Sequence, residues 1–409
     1  MTPTDRTPWR VQLLIYGLAF LCFYQQSVLF PVLPRFASDL GISVTLVGLV
    51  LAARFIVPAL FAAQMGEWTA RFGLKRSLVW VSVGTVLTTP LYLVADSLAL
   101  LLLAQVVNGS LYMAAWIASQ TYATRVPDRD WVLGVFATVT AVGLTVGPIV
   151  GGLALDHSGY PAAFGAYAAG AALLAVVAWL LGAHPAGAPT EPRPRPKGQA
   201  LALLARPGIQ AAFLFSFVCL FTISLRGNFL PLFLEENAMS ASAIGLVLAA
   251  GSLGQAAIRP FTNLLLKRTG LVSTMMLAAL LAILGLSVMP LTVVTTLLLF
   301  LAFAHGVGAG LHQSLGLVLL AEHTSDAERG YAVGLRATIN QVSSAGAPLL
   351  AGVVADLLGM RPAFFVTGAL LLVSTLWLLQ VLRRAQAERV ARAASRAEPE
   401  PRLPASTRP

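Results

Sequence analysis

The chain has 409 residues, of which 57% are hydrophobic and only 11% charged, with a formal net charge of +10. Soluble proteins carry about 25% charged residues, so this composition excludes an ordinary water-soluble domain. Two cysteines, Cys22 and Cys219, are too few for a disulfide framework and stand in no metal-ligand pattern.

Apolar runs of membrane-spanning length follow one another from the first residues. They fall at about 11–33, 43–65, 77–95, 98–122, 131–155, 161–182, 207–233, 243–266, 272–290, 293–320, 331–355 and 362–382. A span needs roughly 20 apolar residues, and backbone groups in lipid must pair internally, so each run is predicted to be a helix. The ten-residue alternation of a membrane barrel is absent. The first run is too long for the apolar core of a signal peptide and is read as span 1. Between spans 6 and 7 lies a Pro-, Ala- and Arg-rich linker, residues 183–206, expected to be a semi-extended tether. After span 12 comes a basic tail, 383–409. Its start is expected to continue the helix along the inner membrane surface beside anionic lipid, with disorder beyond about Ala394.

Placing both ends in the cytoplasm puts Arg35 and Arg361 outside and Arg54, Arg226 and Arg259 within spans; every other Lys and Arg then falls inside. The acids Asp39, Asp96, Asp156, Glu235, Glu236 and Asp356 fall outside. This obeys the positive-inside rule and places the protein in the cytoplasmic (inner) membrane with both termini inside. The positive charge is spread along one membrane face, which argues against nucleic-acid binding.

The first half recurs in the second. Gly48–Ala53 reads GLVLAA and returns at Gly245–Ala250, an offset of 197 that also relates Cys22 to Cys219, Pro34 to Pro231 and Gly73 to Gly270. An offset of 200 relates Arg129 to Arg329, Gly152 to Gly352 and Asp156 to Asp356. Two repeated blocks of hydrophobic spans are the sequence sign of a secondary transporter whose halves rock about a central site. The chain thus divides into an N-terminal six-helix half (1–182), the linker, a C-terminal six-helix half (207–382) and the tail.

Span 5 carries Gly143-x-x-x-Gly147-Pro148-x-x-Gly151-Gly152. Glycines at 143, 147 and 151 share one helix face, and Pro148 removes a backbone bond and bends the helix. The loop after span 2 reads Gly66-Glu67-Trp68-Thr69-Ala70-Arg71-Phe72-Gly73-Leu74-Lys75-Arg76. These motifs, the span count and the repeat resemble the major facilitator superfamily, and within it the twelve-span drug/proton antiporters. The resemblance implies an all-α fold of twelve transmembrane helices in two pseudo-symmetric halves, with spans 1, 4, 7 and 10 around a central pathway. It implies that the span 5 motif forms a sliding contact between the halves, against the plainer alternative of tight packing. It also implies that Glu67 and Arg71, between the turn glycines Gly66 and Gly73, and Lys75 and Arg76 just after them, act at the inner gate. The Asp of the family's loop is replaced by Ala70, and a merely topological basic loop remains open. The span 4 Arg common in these antiporters is replaced by Gln105. At the offset of 200 its counterpart is His305, with His312 two turns on near the same face. Two His in a wet cavity can carry protons; the alternative is that each bonds a neighbouring helix.

Arg54, Arg226 and Arg259 lie within spans with no Asp or Glu at similar depth. An anionic substrate would balance them, since Arg binds carboxylate and phosphate bidentately; pairing with carbonyls or snorkelling is the alternative. Polar and aromatic residues complete the candidate site: Gln25 and Gln26 in span 1, Asn108, Tyr112 and Trp116 in span 4, and Asn228 in span 7. A mostly apolar pocket with a few polar groups suits an amphipathic small molecule.

No phosphate loop, metal-ligand cluster or nucleophile elbow is present, so neither an enzyme nor an ATP-driven pump is expected, and no cofactor. The reading is export of an amphipathic small molecule, in its sharper form an anion, by alternating access in exchange for protons, by a monomer in membrane lipid. Uptake or facilitated diffusion of an organic anion or sugar stays open, as does a non-transporting membrane sensor or scaffold.

Overall fold

The structure is a computed structural model that describes residues 7–182 and 199–397. Most of the linker and the last residues of the tail therefore lie outside the described residues. Among the described residues there is no strand. The N-terminal half comprises α1 (Trp9–Val28), α2 (Leu33–Ser38), α3 (Val44–Phe72), α4 (Leu74–Thr88), α5 (Pro90–Leu93), α6 (Leu98–Ala123) and α7 (Arg129–Leu180). The short α8 (Gln199–Leu204) ends the linker. The C-terminal half comprises α9 (Pro207–Asn228), α10 (Leu230–Glu236), α11 (Ala241–Ile258), α12 (Thr262–Val288), α13 (Thr295–Gly310), α14 (His312–His323), α15 (Asp326–Leu358) and α16 (Met360–Ala397). The helix of α16 runs past span 12 to Ala397, as the tail's composition predicts for its first part.

Nine helical stretches among the described residues are long and apolar enough to cross a membrane. Two of them, Trp131–Leu180 and Ala241–Leu291, hold 50 and 51 residues. An unbroken helix of that length would run ~75 Å, more than twice the ~30 Å hydrocarbon core. Each is broken by a glycine in the left-handed region, Gly159 (φ 71°) and Gly270 (φ 76°), where other residues would be strained. Both breaks fall where the sequence places span boundaries. Elsewhere the spans break at prolines that cannot continue the hydrogen-bond ladder: Pro34 opens α2, Pro90 opens α5 and Pro231 opens α10.

Within the N-terminal half α1 packs along α7, and α3 and α4 pack on α6. The C-terminal half mirrors this with α11 against α13 and α9 against α14 and α15. The halves meet along α3 against α15 and α7 against α11, with α2 touching α10. Thr7 meets Asp128, and Arg206 meets His323 and Glu328, at one end of the bundle, here termed the terminal face. Val44, Glu235 and Met360 line a common cavity at the other end, the distal face.

Candidate substrate pathway

The distal face is where the halves close on each other, and the closure obeys the repeat. On α3, a side chain at Gly48 would collide with the Pro348 carbonyl of α15; on α11, one at Gly245 would collide with the Pro148 carbonyl of α7. One turn further out, Asp356 accepts from the backbone N–H groups of Val44 (3.0 Å) and Thr45 (2.8 Å). Asp156 accepts from those of Ala241 (3.0 Å) and Ser242 (2.8 Å). Arg35 adds an ion pair to Glu235 at 2.9 Å, also across the halves.

The span 5 glycines divide their labour. Side chains at Gly143, Gly147 and Gly151 would strike α1 of the same half, at Phe20, Tyr24, Ser27 and Val28. Only Pro148 and Gly152 reach α11 of the other half. The motif is therefore a packing stripe for α1 along most of its length, and an inter-half contact only at Pro148 and Gly152. Both the inter-half contact and the tight packing weighed for this motif are thus represented, on different residues of the helix.

At the terminal face the loop after α3 turns at Gly73 (φ 89°), as its sequence requires. Gly66 packs near Ile117 of α6 in the same half. Among the described residues, Glu67, Arg71, Lys75 and Arg76 make no ion pair, so no latch is formed there. Arg206 and Glu328 form an ion pair at this face, bidentate at 2.7 and 2.9 Å. It lies within one half and is joined to the capping box of Ser325.

Between the faces, Arg54 of α3 is only 7% exposed. Its guanidinium lies 5.5 Å from the ring centroids of both Phe55 and Tyr112, and no hydrogen-bond acceptor or carboxylate faces it among the described residues. The Tyr112 hydroxyl donates to Gln26 Oε1 of α1 at 2.5 Å. One turn along α6, Trp116 meets Phe23 edge-on at 4.6 Å and stacks on Phe136 at 5.6 Å. Arg54, Gln26, Tyr112 and Trp116 thus form one half-buried aromatic wall, with a cation whose counter-charge is missing. Gln25 is buried beside it with its Nε2 unpartnered.

The other expected site residues stand apart. Asn108 turns to α4, accepting from Thr88 (3.0 Å) and donating to the Ala104 carbonyl (2.9 Å). Asn228 donates to Ser224, which itself binds the Ser344 carbonyl of α15. Arg226 donates to the Leu248 carbonyl at 2.5 Å, and its Nε is unpartnered. Arg259 donates to the Ala137 carbonyl of α7 at 2.8 Å, tying the halves together. Carbonyl pairing, the alternative weighed for the membrane cations, is thus what Arg226 and Arg259 do.

The two histidines meet different partners. A one-residue interruption at Leu311 separates α13 from α14. His305 Nδ1 meets the Ala282 carbonyl of α12 at 2.9 Å and leaves Nε2 unpartnered in a fully buried place. His312 Nδ1 meets Ala309 of its own chain segment at 2.8 Å. The repeat register also changes. A side chain at Gly109 would strike the carbonyl of Arg54, and one at Gly306 that of Gly251. Both pairs are related by 197, so the counterpart of His305 is Asn108 rather than Gln105, and the extra three residues enter after Gly306.

Three features escaped the sequence reading. Asp156 and Asp356 were visible as a repeated pair, but nothing marked them as cross-half caps. Arg336, counted among the inner basic residues, is buried, donating to Ser216 (2.8 Å) and to the His312 carbonyl (3.1 Å). Arg206 and Glu328 carried no signal beyond the Ser325-x-x-Glu328 spacing of a capping box.

Comparison with known proteins agrees with this architecture. Multidrug resistance protein 1 of Bacillus subtilis (strain 168) is 24% identical over 371 residues, covering 85% of this chain and 90% of that protein. Multidrug resistance protein MdtG of Proteus mirabilis (strain HI4320) is 29% identical over 155 residues, 36% of this chain and 39% of that protein. The crystal structure of the nucleoside transporter NupG superposes with a TM-score of 0.76 at 16% identity, over 91% of this chain and 99% of that one. A bacterial homolog of the human lysosomal transporter Spinster, in an inward-facing and unoccupied conformation, superposes with a TM-score of 0.75 at 16% identity, over 92% and 98%. Residues 15–226 and 212–408 match the sequence profile of the Major Facilitator Superfamily, and the chain belongs to that family of membrane transporters.

Proposed function

We propose that this transporter exports amphipathic organic anions from the cytoplasm in exchange for protons, by alternating access between its two six-helix halves. The observation that carries the reading is Arg54. The residue is only 7% exposed, and its guanidinium lies 5.5 Å from the ring centroids of Phe55 and Tyr112 without a hydrogen bond among the described residues, beside Gln26 and Trp116. A charge at depth without a partner is costly, and a carboxylate arriving on the substrate would supply one. The aromatic wall would take the apolar body of the same molecule. Arg226 adds long-range attraction while its head group stays on Leu248.

Export is supported by the multidrug resistance relatives and by the full span 5 motif. The distribution of Lys and Arg supports taking the terminal face as cytoplasmic, in the inner membrane. On that orientation the closed distal face makes this a conformation for loading from the cytoplasm. Counting α4 with α5 as one span, and two spans in each fifty-residue stretch, gives twelve spans. His305 is the group best placed to couple protons, because its buried Nε2 has no partner.

The test is transport in inside-out vesicles with an acidified lumen and a pH-sensitive dye. Proton release on adding aromatic carboxylates, but not their uncharged esters, is the expected result. Flux without proton movement would reject antiport. His305→Ala should abolish gradient-driven accumulation and leave substrate exchange intact; undiminished accumulation would remove His305 from the coupling path.

A further inference from the structure

We propose that Asp156 and Asp356 are a matched pair of positioning residues for the transport cycle, each holding the distal face shut by capping a first helical turn of the opposite half.

The argument starts from what a helix start lacks. The first N–H groups of a helix have no intrahelical acceptor and carry partial positive charge. In α3 and α11 these donors are satisfied in two parts. Each helix caps its third N–H with its own serine, Ser43 to Leu46 and Ser240 to Ala243, both at 3.3 Å. The first two N–H groups are left to a carboxylate from the other half, Asp356 for α3 and Asp156 for α11, at 2.8–3.0 Å. The two arrangements match atom for atom. The donors are related by the offset of 197 and the carboxylates by that of 200.

A cap supplied by a helix's own half would survive any rocking of the halves. These caps cannot, because donor and acceptor lie on bodies that must separate when the distal face opens. Each is a pair of charge-assisted bonds, stronger than neutral ones. Each sits just outside a bare glycine–carbonyl contact, Gly48 with Pro348 and Gly245 with Pro148, which adds shape but no charge. Opening therefore trades four carboxylate bonds for water, and the pair sets how often the distal face opens.

The reporters are Val47→Cys on α3 and Ile244→Cys on α11, 1% and 2% exposed in the closed form and related by the repeat. They are read by the rate of alkylation with a membrane-impermeant maleimide in the full-length protein lacking Cys22 and Cys219. Asp156→Asn and Asp356→Asn should each raise both rates to the same extent, roughly tenfold, and the double variant roughly a hundredfold, as for independent contributions. Asp156→Glu and Asp356→Glu, which keep the charge, should stay within about threefold of the parent. If each Asn variant raises only the reporter on the helix it uncaps, the caps are local and the proposal fails. Unequal singles would reject the matched pair, and loss of folded protein would make the carboxylates structural.

Discussion

The two halves close their distal ends with the same parts, but they diverge where their second and fourth spans cross. In the N-terminal half the crossing holds Arg54 against Gly109; in the C-terminal half the same two places hold Gly251 against Gly306. The guanidinium of Arg226, from α9, lies over Gly251 and fills the space that a side chain there would take. Each half thus brings one cation to the crossing, by different routes. One lies 5.5 Å from two ring centroids with no hydrogen bond among the described residues, and the other is anchored on the Leu248 carbonyl. The difference separates a charge without a hydrogen bond from a charge already half satisfied.

The harshest way to break the comparison is to fill the crossing. Gly109→Leu and Gly306→Leu would force side chains into the Arg54 and Gly251 carbonyls. Overpacking against backbone typically costs 1–3 kcal/mol or more. Both variants should lose monodisperse protein on size exclusion, to the same degree if the crossings are equivalent.

A sharper test removes each cation. Arg54→Ala should weaken binding of an aromatic carboxylate by about 100-fold, or ~2.7 kcal/mol, as for loss of a charge-assisted pair. Arg226→Met should change it by no more than about threefold. Quenching of the intrinsic tryptophan fluorescence by the ligand would follow both. Equal losses would mean that the two cations act as one site.

The smallest effect concerns Arg206 and Glu328, a pair in the C-terminal half. The guanidinium beside it lowers the Glu328 carboxyl from 4.5 to about 2, while the carboxylate raises Arg206. A depressed acid stabilises the fold above its unfolded value and loses that contribution as pH falls. The stabilisation is therefore present above about 4.5 and fades toward 2. The pair is partly exposed, so screening leaves ~0.5–1 kcal/mol. Glu328→Gln should melt about 2 °C lower than the parent at pH 7, and the gap should close near pH 3.

The spans, the repeat and the turn glycines were legible because hydropathy and positive φ leave marks in single letters. Arg54 and its aromatic neighbours were legible because a lone membrane charge is conspicuous. The placement of His305 opposite Asn108, rather than Gln105, was not recoverable. Three residues enter the repeat between Gly306, related to Gly109 by 197, and Arg329, related to Arg129 by 200. Only the collision of Gly306 with the Gly251 carbonyl fixes the register. The roles of Gly143 and Gly152 were likewise indistinct, since adjacent faces of one helix carry the same letter toward different partners. Arg336 looked like any inner-face basic residue because its acceptors, Ser216 and the His312 carbonyl, are distant in sequence.

The distal seal is made largely of main chain: two proline carbonyls, two bare glycines and four helix-end amides, joined by the side chains of Asp156 and Asp356 and by the Arg35–Glu235 pair. Apart from the two glycines, whose bareness the contact requires, main-chain atoms are indifferent to the identity of the residues that carry them. The interior wall around Arg54 can therefore be rewritten, letter by letter, toward other cargo without disturbing closure. A duplicated gene built this way keeps its moving parts in the backbone and leaves its side chains free to diversify.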